Sequence, residues 1–339
     1  MERLKPQKKG GGLYFTKPSP DIDFIPSGSV LLDCVIGGGW PLGRMVNIVG
    51  DKSTGKTLLA IEAAANFAEQ YPKGEIWYRE AESAFDKGYA GALGMPLDRI
   101  NPGEKNWSQF DTVEQVFEDL SEKLEWCKHK GRPALYILDS LDSLSDKEEM
   151  GRKMGEGSFN LGKQKKLGEL FRRKVREIEE SQLCFMIISQ VRDKIGVSFG
   201  DKTTRTGGRA MDFYASQIVK LALTQTIYET KKGIKRATGL RIRAKCTKNK
   251  VGLALRECEF VLTFGFGIDD YQACMEWLVE VKRWGDLGLT KEQAVAKAEE
   301  SMAWDNARYL AEKNRLNDAV TKAWAEIETD FLPKRRKYG

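Results

Sequence analysis

The sequence predicts an α/β fold. A mostly parallel central sheet carries helices on both faces, with a short N-terminal arm before it and a small helical region after it. Two observations carry this expectation. Short apolar runs bounded by polar residues alternate with longer amphipathic segments, the pattern of repeated strand–helix units. One such strand–helix junction contains Gly50-Asp51-Lys52-Ser53-Thr54-Gly55-Lys56-Thr57, which fits G-x-x-x-x-G-K-[ST], the phosphate-binding P-loop.

Composition sets the outer bounds. The chain has 339 residues, enough for one large α/β domain with appendages or two ordinary domains, and its 41% hydrophobic content can build a sizeable core. No apolar run approaches the ~18 residues of a membrane span, and no apolar signal segment follows the charged Met1–Lys9, so a cytoplasmic protein is expected, with no membrane partner. The six cysteines are scattered without a C-x-x-C pair, and the single histidine, His129, lies in a charged helical pattern; this argues against a zinc site. The net charge of +6 is compatible with an acidic polymer as partner, and equally with an ordinary solvated surface.

Taken in order, residues 1–24 are basic and rich in Gly and Pro and read as an arm, a candidate oligomerisation element. Its apolar cluster, Leu13-Tyr14-Phe15, could dock on a neighbouring subunit or fold back on its own core. Ser29 caps a helix beginning at Val30. Met45–Val49 is a buried strand leading into the P-loop, and Leu58–Ala68 the helix leaving it. Glu75–Arg79 is a strand ending in Glu80-Ala81-Glu82, and Val113–Lys128 an amphipathic helix. Ala134–Leu138 is a strand ending in Asp139-Ser140. Leu161–Ser181 is a long basic helix, and Cys184–Ile188 a strand ending in Ser189-Gln190. Strand patterns from Gln217 to Phe264 extend the sheet with antiparallel strands. The ATPase-type core thus spans residues 25–268. Residues 269–339 read as a helical domain anchored by Trp277, Trp284, Trp304 and Trp324 and ending in a basic tail, Lys334–Lys337.

Polar residues stand at the carboxyl ends of the apolar strands, where open α/β sheets bind ligands. In the P-loop the glycines let successive N–H groups face phosphate oxygens, and the helix N-terminus adds partial positive charge. Lys56 would reach the β- and γ-phosphates of a nucleotide, and the Thr57 hydroxyl would hold Mg²⁺. Asp139, ending its strand, would hold the same ion. Apolar-run-plus-Asp is a weak signal alone and a strong one beside a P-loop. Glu80 or Glu82 could deprotonate the attacking water; the residues themselves leave both open. Two segments look unlike core. Residues 145–166 carry many charges and glycines. Residues 190–208 combine Arg192, Lys194 and Arg205 with Gly196, Gly207 and Gly208 and with the isolated apolar Ile195, Val197 and Phe199. Basic residues suit phosphate contacts and an apolar wedge suits entry between bases; a solvated lid is the plainer alternative.

From about Ile25 to Trp284 the chain resembles the bacterial RecA recombinase family and its phage-encoded members. The blocks are SGSVLLD at 27–33, PLGRMVNIVGDKSTGKT at 41–57, EAESAFDKGYAGALG at 80–94, LYILDSLDSL at 135–144, ISQVRDKIGVSFG at 188–200, TGGRAMDFYAS at 206–216 and KNK at 248–250. The P-loop is shared by many NTPases; the 195–200 and 206–216 blocks, in this order and spacing, are specific. The resemblance implies a RecA-like core and a DNA-dependent ATPase that coats single-stranded DNA as a filament of copies of itself and exchanges strands with duplex DNA. Single-strand-binding protein and loaders are the implied accessories. It also implies roles: Glu82 activates water, Asp86 and Tyr89 hold adenine with Gly265 as a further nucleotide contact, and Gln190 senses the γ-phosphate. Residues 148–162 and 191–208 are the implied DNA loops, with Arg192, Lys194, Ile195, Gly196, Val197, Ser198, Phe199, Arg205, Thr206, Gly207, Gly208 and the adjoining Arg209 as contacts in the second. Lys248 and Lys250 reach a neighbour's ATP. The chain departs from the family in its first loop, its short N-terminal region and its basic rather than acidic end, which fits a phage or divergent member. A mediator that binds ATP and DNA without strand exchange, and a hexameric helicase-type or clock-type ATPase, are the competing readings. The complete second loop disfavours the first, and the short arm leaves no room for a helicase's N-terminal domain.

Overall fold

The computed structural model describes residues 22–82, 85–100, 106–151, 161–193, 203–204 and 206–335. In chain order the first half contains β1 (Phe24–Ile25), α1 (Val30–Ile36), β2 (Trp40–Pro41), β3 (Met45–Gly50), α2 (Lys56–Gln70), β4 (Glu75–Glu80), α3 (Lys87–Ala92), β5 (Trp107–Gln109), α4 (Val113–Lys130) and β6 (Ala134–Asp139). A short 3-10 turn (Leu141–Ser143) leads to α5 (Lys147–Met150), α6 (Leu161–Glu180), β7 (Leu183–Gln190), β8 (Arg192–Asp193), β9 (Thr203–Thr204) and α7 (Gly208–Tyr214). The rest is β10 (Gln217–Lys231), β11 (Ile234–Asn249), β12 (Glu257–Thr263), β13 (Gly267–Asp269), α8 (Asp270–Glu280), α9 (Lys291–Glu300) and α10 (Asn306–Asp330).

Local chemistry sets the helix limits. The Ser29 hydroxyl accepts from Leu32 N at the start of α1, and Gly37, at φ 84°, ends that helix in the left-handed region. Thr112 and Gln115 form a reciprocal capping box at the start of α4. That helix runs to Lys130, two residues past its expected end.

Nine strands form one sheet in the order β13-β12-β11-β10-β3-β7-β6-β4-β5. The run from β10 to β5 is parallel, and β11, β12 and β13 extend it antiparallel. Parallel strands are buried on both faces, so they read as unbroken apolar runs, and alternate residues feed opposite cores. Along β6, Leu135 and Ile137 enter one core while Ala134, Tyr136 and Leu138 enter the other. The second core is closed by α4, α6 and α7. The first is closed by α1 and α2 together with the C-terminal helices: Leu278, Ala294, Leu316 and Val320 join it. Helices α8–α10 therefore share a core with the sheet. The tryptophans expected to anchor them are partly buried against that core, with the Trp277 and Trp324 rings 5.6 Å apart and Trp304 edge-on to Tyr271 at 4.9 Å. The apolar arm cluster Leu13–Phe15 lies outside the described residues. Among the described residues, no helix is long and apolar enough to cross a membrane.

Several carboxylates in this packing have raised proton affinity, Asp33 and Glu62 among them. Asp33, in the first turn of α1, accepts from Ser27 N at 2.9 Å. Burial pushes its carboxyl from 3.8 up to about 7, with Asp270 adding to the rise and the Ser27 bonds and Lys313 opposing it. A folded-state value above the unfolded one means protonation favours the fold. The contribution is complete below 3.8 and is lost as pH rises through about 7. Asp33→Asn keeps an acceptor for Ser27 and removes the charge. The variant should gain melting temperature over the parent at about pH 8 and little at about pH 5. Equal gains at both, in paired thermal melts, would show that Asp33 is not buried as a charge.

Candidate functional site

The parallel register brings the carboxyl ends of four neighbouring strands together. Gly50 of β3 pairs with Gln190 of β7, and Glu80 of β4 with Asp139 of β6. The P-loop leaves β3 here. Gly55 sits at φ 83° and caps α2; a Cβ there would strike Leu262, and one on Gly50 would strike Thr54, so both positions need glycine. The Lys56 ammonium lies back over the loop, donating to the Asp51 carbonyl at 2.6 Å, and the Thr54 hydroxyl donates to the same carbonyl at 2.8 Å. Burial lowers the proton affinity of Lys56, and the nearby Asp139 and Glu82 carboxylates raise it.

Beside the loop, the Asp139 carboxylate accepts from the Thr57 hydroxyl and from Tyr78 OH, each at 2.8 Å. Burial pushes that carboxyl up to about 6 against the pull of those two bonds. A buried hard-oxygen pair, one hydroxyl and one carboxylate at the edge of a phosphate loop, is the donor set Mg²⁺ takes when phosphates and water complete its shell. Glu82 and Glu80 differ sharply. Glu80 is buried at the strand end, its carboxylate accepting from Glu82 N at 3.0 Å. Glu82 opens into the cavity. Its Oε1 accepts from the Ser140 hydroxyl and, at 2.7 Å, from the Gln190 amide.

These groups line a cavity of about 520 Å³ that runs from Lys52–Leu58 past Glu82, Asp139 and Gln190 to an apolar wall of Leu240, Leu262 and Phe264. Tyr89, half exposed, stands on its rim. Asp86 does not line it; its carboxylate caps α3 through Tyr89 N at 2.9 Å. Gly265, at φ 79°, has open space around its Cβ direction, next to the Phe264 wall.

The remaining sequence-predicted residues lie elsewhere. Ile218 pairs with both Asn47 and Lys248, so Lys248 stands level with the middle of β3, two strands away and about 10 Å short of the phosphate-loop end. Its ammonium donates to the Asp212 and Phe213 carbonyls at the end of α7, and that of Lys250 to Phe213 at 3.3 Å. The two lysines thus do not join the phosphate site of their own chain. In the second loop segment, Lys194, Ile195, Gly196, Val197, Ser198, Phe199 and Arg205 fall outside the described residues. Arg192 lies in β8, which pairs with β9. Gly207, at φ 70°, caps α7 and packs near Leu141, Leu167 and Phe171; Gly208 and the exposed Arg209 begin the helix. In the first segment, residues 152–160 are outside the described set, α5 covers Lys147–Met150 and α6 opens at Leu161.

Known proteins bear on this arrangement. A family model described as the RecA N-terminal domain matches residues 9–269. The chain belongs to that family. It is 36% identical to "Protein RecA" of Treponema denticola over 271 residues, 79% of this chain and 61% of the relative. It is also 38% identical to "Protein RecA" of Borrelia hermsii over 250 residues, 73% of this chain and 66% of the relative. "Protein RecA" of Streptomyces avermitilis is 36% identical over 253 residues, 74% of this chain and 63% of the relative. The matched stretch thus spans less than two thirds of these relatives.

Two residues that hold site residues in place, neither lining the cavity, escaped sequence reasoning. Tyr78, which holds Asp139, read as an ordinary strand aromatic. Asp142 accepts from Gln190 N at 2.6 Å; its signal was a second acidic residue three positions beyond Asp139, in a repeat of Asp-Ser-Leu. The loop geometry yields a direct test. Lys56→Ala removes the ammonium that lies over the P-loop and should weaken binding of an ATP analogue about ten- to hundredfold, the value of hydrogen bonds to a charged group. Titration with a fluorescent ATP analogue measures this, and an affinity within twofold of the parent would remove Lys56 from the site.

Proposed function

We propose that this chain is an ATP-dependent recombination protein: it binds ATP with Mg²⁺, assembles as a filament on single-stranded DNA and exchanges strands with homologous duplex. The observation that carries the reading is the hydrogen bond from Gln190 to Glu82. It joins a carboxylate open to the phosphate cavity to the residue from which the basic, glycine-rich segment 191–208 departs. A phosphate-triggered change at Gln190 is thereby felt where DNA would be held.

The residues divide the work. Backbone N–H groups of the P-loop and Lys56 hold the β- and γ-phosphates. Thr57 and Asp139 would hold Mg²⁺, which when bound neutralises charge between the phosphates. Glu82 accepts the proton of the attacking water. Ser140 and Gln190 hold its Oε1, leaving Oε2 for that water. Tyr89 and the wall at Phe264 suit a base, with Asp86 and Gly265 as neighbours of that end. Lys248 and Lys250, remote from their own chain's cavity, supply charge to the ATP of the next subunit in a head-to-tail assembly. The segments 148–162 and 191–208, with Arg192, Arg205 and Arg209, contact DNA.

Strand exchange between single-stranded circles and homologous linear duplex, run with ATP, tests the whole reading; exchanged product is expected, and none with any nucleotide would sink it. Glu82→Gln should retain ATP and DNA binding and lose turnover about 10²–10⁴-fold, because an amide cannot accept the proton. Parental turnover would return the role to Glu80. The trans role has its own check. A Lys248→Ala/Lys250→Ala protein and the Glu82→Gln protein should each be nearly inactive. Mixed equally on DNA, about a quarter of their interfaces should pair two intact faces and recover turnover. A co-assembled mixture as inactive as its parents would remove the lysines from catalysis.

A further inference from the structure

Asp142 belongs to neither the phosphate cradle nor the candidate DNA segments, yet it touches the base of both. It lies in the 3-10 turn that follows β6 and is buried. Its Oδ2 accepts from Gln190 N at 2.6 Å and its Oδ1 from Thr206 N at 3.3 Å. Gln190 stands directly before the candidate segment 191–208, and Thr206 near its end, where the chain enters α7. Its main-chain carbonyl accepts from the Lys163 ammonium at 2.9 Å. Lys163 stands in the first turn of α6, directly after residues 152–160. One residue is therefore bonded at three places where the two candidate DNA segments meet the core.

The chemistry fits a rigid tie. A carboxylate is planar, with its two oxygens at a fixed separation. An N–H bonded to each oxygen fixes the two donors relative to one another, and bonds to a charged acceptor are stronger than neutral ones. Gln190 takes part twice: its amide holds Glu82 and its backbone N–H holds Asp142. A displacement of Gln190 that includes its backbone stretches the Asp142 bond, or carries Asp142 and hence Thr206 with it.

We propose that Asp142 is a positioning residue that links the nucleotide state read at Gln190 to both candidate DNA segments, through Thr206 on one side and Lys163 on the other. This rests on the function proposed above. Asp142 contacts neither ATP nor DNA; it sets how strongly the binding of one is felt by the other, a coupling between sites.

The test is that coupling, not activity alone. For the full-length parent, Asp142→Ala and Asp142→Asn, the affinity for a labelled oligo-dT is measured with a non-hydrolysable ATP analogue and with ADP, and the ratio is taken. Affinity for a fluorescent ATP analogue without DNA is the second readout. The parent should show a large ratio. Asp142→Ala should cut it about tenfold or more, the value of losing bonds to a charged acceptor, while ATP-analogue affinity stays within about threefold. Asp142→Asn keeps the shape and one acceptor oxygen, so its ratio should fall between the two, and it decides the matter if the alanine variant does not fold. A parental ratio in both variants overturns the proposal. So does equal loss of ATP-analogue affinity and DNA affinity, which would make Asp142 a general structural support. A parent whose DNA affinity ignores nucleotide overturns the recombination reading itself, and the link with it.

Discussion

The site depends on one constraint, the shared parallel register of β3, β7, β6 and β4. Gly50 and Gln190 pair at the ends of β3 and β7, and Glu80 and Asp139 pair at the ends of β4 and β6, which stop two residues lower, level with Ile188, because no residue is inserted in any of these pairings. A slip by one residue would turn each strand's core-facing side chains to the opposite face and carry the polar terminal residue away from its neighbours. Burial on both faces enforces the register. Val46 and Ile48, Leu135 and Ile137, Cys184, Met186 and Ile188 all have to enter the same core. Asn47 adds a polar pin between strands, its amide donating to the Ile187 carbonyl and the Ser189 hydroxyl, each at 2.9 Å.

The same alignment concentrates charge. Asp139 is buried beside Lys56 and near Glu82, and burial disfavours the charged form of the lysine and of the aspartate alike. Hydrogen bonds from Thr57 and Tyr78 hold the Asp139 carboxylate, and the bonds from Ser140 and Gln190 hold Glu82. One oxygen of each carboxylate, Asp139 Oδ2 and Glu82 Oε1, thus takes two donors from other segments of the chain. Such an arrangement is organised before a phosphate arrives, which is the condition for electrostatic stabilisation without reorganisation at the reacting centre.

Much of this was legible in the chain. The P-loop, the Asp139 strand end, the Glu80–Glu82 strand end and the parallel-then-antiparallel sheet each follow from a local pattern: motif spacing, or an apolar run closed by a polar residue. What was not legible depends on non-local pairing. Glu80 and Glu82 are two residues apart and chemically alike; the residues alone left both open, and the family resemblance preferred Glu82. The structure separates their environments through the Ser140 and Gln190 contacts, which join segments 58 and 108 residues apart in sequence. The helical end read as a domain with its own tryptophan core, because periodicity shows an apolar face but not what covers it; here Leu316 and Val320 of α10 share the core of α1 and α2. Asp86 was carried over as a base contact, and its visible bond is a helix cap. Asp142 offered a carboxylate in a conspicuous place without indicating its partners, which are backbone groups that any sequence would supply.

The lysines on β11 show how far the register argument extends. Lys248 and Lys250 are tied to carbonyls at the C-terminal end of α7, and Gly207 and Gly208 open that helix at its other end. α7 has seven residues, so its ends are about 10 Å apart. It buries Met211 into the core under α6, which leaves it little freedom to bend. Under the proposed function, the segment that would hold DNA and the lysines that would serve a neighbouring ATP therefore sit at opposite ends of one short rigid element. The Gln190–Asp142–Thr206 contacts reach the chain at Thr206, directly before the Gly207 cap of that element. Within a single chain, the path from the P-loop cavity to the lysines of β11 passes through two carboxylates, one amide side chain and one helix, and each step is a direct contact rather than a long lever.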